Sequence, residues 1–224
     1  MDKKVRAAIV LLLIAGLLQG CSSISGGFSG SSATEDSLRF KTEYEALNDE
    51  LNAEGAHRYT QVAIDKANAI DYLTYEELID FICNQSGLLY FGRPGCPWCR
   101  LLIPIMLDYA KEEGVTIYYY DIEKDRTENS PEYQRILSLL GEYLPTDTVT
   151  QKEDDPDFNP DLKRVVLPQL FFLKEGKIRA DLYLYEHTYL QNNEVDKVKQ
   201  LLKGAYNTTA SYPSDSEGGE PCDC

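Results

Sequence analysis

The stretch Leu88-Leu89-Tyr90-Phe91-Gly92-Arg93-Pro94-Gly95-Cys96-Pro97-Trp98-Cys99 decides how this chain reads. The apolar run Leu88 to Phe91 predicts a short buried strand, and the Gly/Pro-rich residues after it predict a tight turn. The cysteines then open a helix that continues through Arg100-Leu101-Leu102-Ile103-Pro104-Ile105-Met106-Leu107. A Cys-x-x-Cys between strand and helix is the sequence signal of a redox dithiol. The chemistry needs this placement, because the thiolate is the reactive species and a free cysteine near pKa ~8.5 carries little of it at neutral pH. A helix N-terminus offers unpaired N–H groups and partial positive charge to an anion. Cys96 is therefore expected to be the more exposed and more acidic thiol, with Arg93 and Arg100 modulating it. Pro97 suits the first helical position, where its missing N–H has no partner to lose. Cys99 lies one turn on, within disulfide reach of Cys96.

The competing reading is half a zinc site or a structural pair. Zinc requires two more ligands, and the chain offers His57, His187, Cys83 and a distant Cys222-x-Cys224. The strand–turn–helix context favours redox over metal, and no metal is expected.

Outward from this stretch, Thr74-Tyr75-Glu76-Glu77 fits a capping box that starts a helix closed by Gly87. Cys83 lies among apolar neighbours there and reads as an inert core cysteine. Leu38 to Glu54 has helical spacing at Phe40, Tyr44, Leu47 and Leu51, and Tyr59 to Ile64 reads as an extended piece. After the active-site helix come a strand from Val115 to Asp121 and a helix from Pro131 to Tyr143. The segment 144–163 is a long polar loop with the acidic run Glu153-Asp154-Asp155, either a flap over the substrate or a tolerated insertion. A last helix starts at Asn192 or Asn193 and runs to about Lys203.

The stretch Val165-Val166-Leu167-Pro168-Gln169-Leu170-Phe171-Phe172-Leu173-Lys174-Glu175-Gly176-Lys177-Ile178 completes a pattern. With the Cys-x-x-Cys and Pro104 five residues beyond it, the chain from about Tyr72 to Lys203 resembles the thioredoxin superfamily. Pro168 matches its cis-proline, and Lys174-Glu175-Gly176 its hairpin turn. The string Tyr90 to Arg100 most resembles thioredoxin-like lipoproteins of Gram-positive bacteria, some described as bacteriocin-transport accessory proteins. The resemblance implies an α/β thioredoxin-like fold, a central mixed sheet flanked by helices, here with an N-terminal helical extension. It also implies a substrate groove formed by Pro97, Trp98, Leu167 and Pro168. Two positions depart from the family. Tyr90 stands where thioredoxins bury an aspartate as proton relay to the second cysteine, and Leu184 stands near a groove glycine. The Pro-Trp between the cysteines is closer to the Pro-aromatic of glutaredoxins.

The termini add a location. Lys3, Lys4 and Arg6 precede an apolar run from Ala7 to Leu18, which is short for a membrane span. Leu18-Gln19-Gly20-Cys21 resembles a bacterial lipoprotein signal, which implies lipidation of Cys21; ordinary secretion or an uncleaved anchor are the alternatives. The expected organisation is a signal peptide over 1–20, a Ser/Gly tether over 21–37, and a helix with an extended segment over 38–71. The thioredoxin-like domain follows over 72–204, then a disordered tail over 205–224. Cys222 and Cys224 in that tail are a possible secondary redox pair that exchanges with Cys96 and Cys99. With 22 basic and 37 acidic residues among 224, the net charge of −15 argues against nucleic acid as a partner.

The sequence thus reads as a lipid-anchored thiol–disulfide oxidoreductase on the outer face of the bacterial cytoplasmic membrane. It is expected to be a monomer that acts on protein thiols and is recycled by a redox partner. It needs no cofactor beyond the Cys96–Cys99 disulfide. The rival is a non-catalytic accessory protein for secretion or bacteriocin transport.

Overall fold

The computed structural model describes residues 27–30, 32–52, 55–185 and 187–214. The expected signal segment, Cys21, Cys222 and Cys224 lie outside these residues. Among the described residues no helix is long and apolar enough to cross a membrane.

The strands are β1 (Ile70–Tyr72), β2 (Gly87–Gly92), β3 (Ile117–Asp121), β4 (Gln169–Lys174) and β5 (Lys177–Tyr183). They form one sheet in the order β1-β3-β2-β4-β5. β3 runs parallel to both β1 and β2, while β4 is antiparallel to β2 and β5 to β4. The helices are α1 (Glu35–Glu45), α2 (Tyr75–Asn84), α3 (Pro97–Glu113), α4 (Glu123–Glu128), α5 (Pro131–Leu140), α6 (Thr188–Gln191) and α7 (Val195–Ser211). Successive strand residues point to opposite faces, so an apolar strand buried on both sides feeds two cores. Leu88, Tyr90, Leu170 and Phe172 meet α1, α3 and α7 through Phe40, Tyr44, Leu102, Met106, Val198 and Leu202. Leu89, Phe91, Phe171 and Leu173 meet α2 and α5 through Leu78, Phe81, Ile136 and Leu140. This is a thioredoxin-like α/β fold, with β2 at its centre and the Cys-x-x-Cys at that strand's C-terminal end.

Several boundaries differ from expectation. Helix α1 begins at a capping box, where Thr34 accepts from Ser37 N and Ser37 Oγ accepts from Thr34 N. It stops at Glu45 and not near residue 54, because its end is tied to the rest of the chain. Glu45 accepts from Ile64 N at 2.8 Å, and Asn48 pairs with both backbone groups of Val62. Residues 59–64 are consequently a strap held by side chains, with no partner strand in the sheet. Leu51, read as a core position, is 52% exposed. At the other end α7 continues to Ser211, past the expected tail boundary at 205. Val198, Leu202, Ala205 and Thr209 stay buried along it, and Lys174 donates to the carbonyls of Ala210 and Tyr212 at its C-terminus.

The segment 144–163 is folded back on itself. Thr146 bridges Lys163, Asp147 N donates to Leu162 O at 2.7 Å, and Arg164 N donates to Pro145 O at 3.2 Å. Burial alone would raise the Asp147 carboxyl, but hydrogen bonds from Thr150 and Val149, with Arg164 nearby, hold it below the usual range.

The β4–β5 hairpin turns through Glu175 (φ 52°) and Gly176 (φ 69°), and it lies against the end of α2. Gly176 N donates to Gln85 O, and a Cβ on Gly176 would sit 1.8 Å from Cys83 O. The left-handed conformation and the backbone clash both penalise a side chain. Gly176→Ala is expected to lower stability by about 2–4 kcal/mol. Urea unfolding reads this directly, and an unchanged midpoint would contradict the packing described.

Cys83, at the end of α2, is not the inert free core thiol expected from its neighbours. It is half-buried and disulfide-bonded, with its partner outside the described residues. Apolar spacing made it look like core, but the last turn of α2 brings it to the surface. Cys83→Ser should therefore raise the thiol count of the denatured, unreduced protein by one, by freeing the partner. A free Cys83 would make the count fall by one.

Candidate active site

Strand β2 delivers the chain into the turn Arg93-Pro94-Gly95, which closes with Cys96 N donating to Arg93 O at 3.2 Å. Cys96 then takes the N-cap of α3 in an extended conformation (φ −83°, ψ 118°), with Pro97 at the first helical position. Its sulfur accepts from Cys99 N at 3.2 Å. A thiol thus does what a serine or aspartate does at most helix starts, and it faces the positive end of the dipole. The Cys96 thiol is held below the ordinary cysteine pKa. The hydrogen bond from the Cys99 thiol contributes most; burial opposes it, and the Cys99 and Trp98 backbone amides and the Arg93 guanidinium add to it. Arg93 also pairs with Glu123 at 3.0 Å, on the rim of the site.

Cys99 is fully buried, and burial first, then Cys96, drive its pKa well up; the Tyr90 hydroxyl opposes. Both thiols are free. The pair is therefore asymmetric, with one acidic sulfur at the helix end and one protected sulfur a turn inside. Cys96 itself is only 4% exposed, less than its position at the end of the helix led us to expect. The cover comes from the opposite wall. The Leu167–Pro168 bond is cis, and Leu167 O lies 3.8 Å from Cys96 Sγ. Pro168 O in turn accepts from Leu184 N at 3.3 Å, while the Leu184 side chain is buried.

Pro97 is exposed and Trp98 half-buried, next in sequence to Cys96, while Pro168 follows the Leu167 whose carbonyl lies against the sulfur. The sequence did not single out the aromatic wall beside them. Trp98 meets Tyr185 edge-on at 6.2 Å, and Tyr185 stacks on Tyr183 at the same separation. The alternation Tyr183-Leu184-Tyr185 was the available signal, since it sends both tyrosines to the face opposite Leu184.

Arg100 does not join the site. Its guanidinium is buried and turned toward α1, donating to Tyr44 O at 2.8 Å, Thr60 O at 2.6 Å, Pro94 O at 3.2 Å and Asn48 Oδ1 at 2.7 Å. The guanidinium that acts on the Cys96 thiol is that of Arg93. Arg100 instead fastens the N-terminal extension to the back of the active-site turn. Tyr59 extends this packing, with its hydroxyl 3.4 Å from where a Cβ on Gly95 would lie.

Comparison with known proteins adds three findings. Among solved structures, oxidised thioredoxin O2 from Arabidopsis thaliana is similar at 18% identity, over 62% of this chain and 95% of that one, with a TM-score of 0.37. No curated protein matches the sequence. A family model described as TraF, F plasmid transfer operon protein, matches residues 33–155. That span is more than half of the chain and runs from the cap of α1 through the Cys-x-x-Cys helix into the folded loop. The chain therefore belongs to the TraF family.

Proposed function

We propose that the chain is a thiol–disulfide oxidoreductase acting on protein thiols and disulfides through Cys96 and Cys99. The observation that carries this reading is the Cys96 sulfur at the N-cap of α3, lowered in pKa and paired with a shielded second thiol. In the reducing direction the Cys96 thiolate attacks a substrate disulfide, forming Cys96 Sγ–S(substrate) and expelling the other substrate sulfur. Cys99 then attacks Cys96 Sγ, the mixed disulfide breaks, and the second substrate sulfur leaves with the proton Cys99 gave up. The groove of Trp98, Pro168 and the tyrosines at 183 and 185 would hold the polypeptide flanking the reacting sulfur. Turnover of a scrambled-disulfide protein in a glutathione buffer tests this, since wild-type turnover that persists in Cys96→Ser would remove the reading.

We further propose attachment to the outer face of the cytoplasmic membrane through a lipidated Cys21, on the strength of Leu18-Gln19-Gly20-Cys21 and in line with the likeness to Gram-positive lipoproteins. Cys21→Ala should abolish acyl labelling and leave an unprocessed precursor; normal labelling would refute the assignment. The near-complete burial of Cys96 favours one second reading, a non-catalytic accessory protein that binds a secretion partner through the same groove. That reading requires Cys96→Ser to keep full biological activity.

A further inference from the structure

We propose that the Tyr90 hydroxyl, backed by Tyr44 from the N-terminal extension and Tyr119 from β3, is the hydrogen-bond donor that stabilises the Cys99 thiolate during resolution of the mixed disulfide. This rests on the oxidoreductase reading and assigns Tyr90 the role of catalytic donor to the second sulfur.

Three buried tyrosines cluster between α1, β2 and β3, and the Tyr90 hydroxyl of that cluster interacts with Cys99. Tyr44, Tyr90, Tyr119 and Cys99 are all fully buried. Tyr90 and Tyr119 face each other in register across β2 and β3, with ring centroids 5.4 Å apart. Tyr44 comes in from α1, 6.5 Å from Tyr119, with Phe40 wedged against both rings. The Tyr90 hydroxyl reaches forward along its own strand, where it would be 2.3 Å from a Cβ on Gly92. Only a glycine admits it there, so Gly92 and Tyr90 act as one unit pointing at the active-site turn.

Two of these hydroxyls lack a hydrogen bond. Tyr119 Oη donates to Gly92 O at 3.4 Å, but Tyr44 Oη and Tyr90 Oη make no well-formed hydrogen bond; their polar neighbours are one another, Tyr119 and, for Tyr90, the Cys99 thiol. An unpaired buried hydroxyl is destabilising, and phenylalanine at either position would avoid the penalty. The unused donors make sense if an anion forms beside them in another state of the cycle. Cys99 is the group beside Tyr90 that must become an anion, and the Tyr90 hydroxyl favours its thiolate against the effect of burial. Tyr44 also senses charge on both Cys99 and Tyr90, which places it second in line.

The donor stays a donor. Burial first, and then the Cys99 charge, push the Tyr90 pKa well above the ordinary tyrosine value, so it holds its proton throughout. Its role is thus the opposite of a buried carboxylate, which would accept the Cys99 proton. In this chain Cys99–H loses its proton to the departing substrate sulfur, while Tyr90 O–H···S⁻ steadies the nucleophile. The Cys99–Cys96 bond then forms and the Cys96–substrate bond breaks. The other titratable or charged groups that act on this cluster are Cys96 on α3, Asp121 at the end of β3 and Tyr72 on β1, both beside Tyr119, and the Arg100 guanidinium behind Tyr44, while Arg93 reaches Cys99 through its backbone.

Tyr90→Phe tests this with two independent readouts. The first is the lifetime of the mixed disulfide, captured by acid quench after mixing the reduced protein with a glutathionylated peptide. Loss of one hydrogen bond to an anion should slow its resolution by about ten- to hundredfold, and slow its formation far less. The second is the Cys99 thiol titration followed by NMR in a Cys96→Ser background. Tyr90→Phe should shift it upward by about one pH unit or more, and Tyr44→Phe by less. A wild-type protein that forms no mixed disulfide would end the oxidoreductase reading, while the titration would still decide Tyr90. An unshifted Cys99 titration, or unchanged resolution in a protein that does form the intermediate, would overturn the proposal.

Discussion

Cys96→Ser is expected to reduce turnover about a thousandfold or more, and Cys99→Ser to convert the protein into a trap that accumulates mixed disulfides through Cys96. The asymmetry follows from position. Cys96 caps α3, where the Cys99 thiol and amide converge on its sulfur and Arg93 adds charge. Removing it removes the nucleophile, and no neighbouring group substitutes for a missing nucleophile. Cys99 is sealed in the core with its pKa driven up, so it attacks only a sulfur already brought to it, as Cys96 is. The sign of the pH effect follows from the two shifts. Because the Cys96 pKa is lowered, its alkylation rate rises with pH and levels off below the ordinary thiol value, while Cys99 stays unreacted across the same window. Iodoacetamide labelling of the reduced protein, followed by peptide mass spectrometry, should find Cys96 modified first from pH 6 to 8. Labelling of Cys99 first, or mixed disulfides in Cys96→Ser, would reverse the assigned roles.

What the sequence reveals here depends on how local the physics is. The strand–turn–helix at 88–107 is fixed by neighbouring residues: an apolar run, a Gly/Pro turn, and a proline suited to the first helical position. It folds as read, and so does the cis-proline segment at 167–168. Helix α1 is a contrary case. Periodicity carried it to residue 54, but its end is set by contacts with residues 62, 64 and 100, far along the chain. β1 is too short to show a period, and it is placed by pairing with β3. Cys83 and Tyr90 share a different difficulty. Their surroundings in sequence are apolar, yet one is bonded to a distant cysteine and the other carries its hydroxyl forward to Gly92 at the active-site turn. Side-chain direction within a buried element is a tertiary property.

Arg100 illustrates the same point and gives the largest stability effect we expect. Its place four residues after Cys96 suggested an electrostatic partner for the thiolate, but the guanidinium points the other way. Its fixed fork of donors meets four neutral acceptors on three separate segments: Tyr44 O and Asn48 Oδ1 at and just after the end of α1, Thr60 O in the strap, and Pro94 O in the active-site turn. Burying a charge without a carboxylate is costly, and burial depresses its pKa accordingly. The four hydrogen bonds from a charged donor offset that cost. Arg100→Met would relieve the buried charge but strand Asn48 Oδ1 and the Thr60 and Pro94 carbonyls, while Tyr44 O would keep only its weak backbone donors at the end of α1. The net loss should be about 3–5 kcal/mol. Arg100→Lys should recover only part of it, because three donors on a point charge cannot span the same fork. The damage should also be regional. Amides of Val62 and Ile64, which bond to Asn48 and Glu45, should lose hydrogen-exchange protection before those of β2 do. Since Tyr44 rides on the same helix, the Arg100→Met protein should also carry an upward-shifted Cys99 titration. A variant that unfolds at the wild-type urea concentration, with Val62 and Ile64 still protected, would show that the extension is held by its apolar contacts alone.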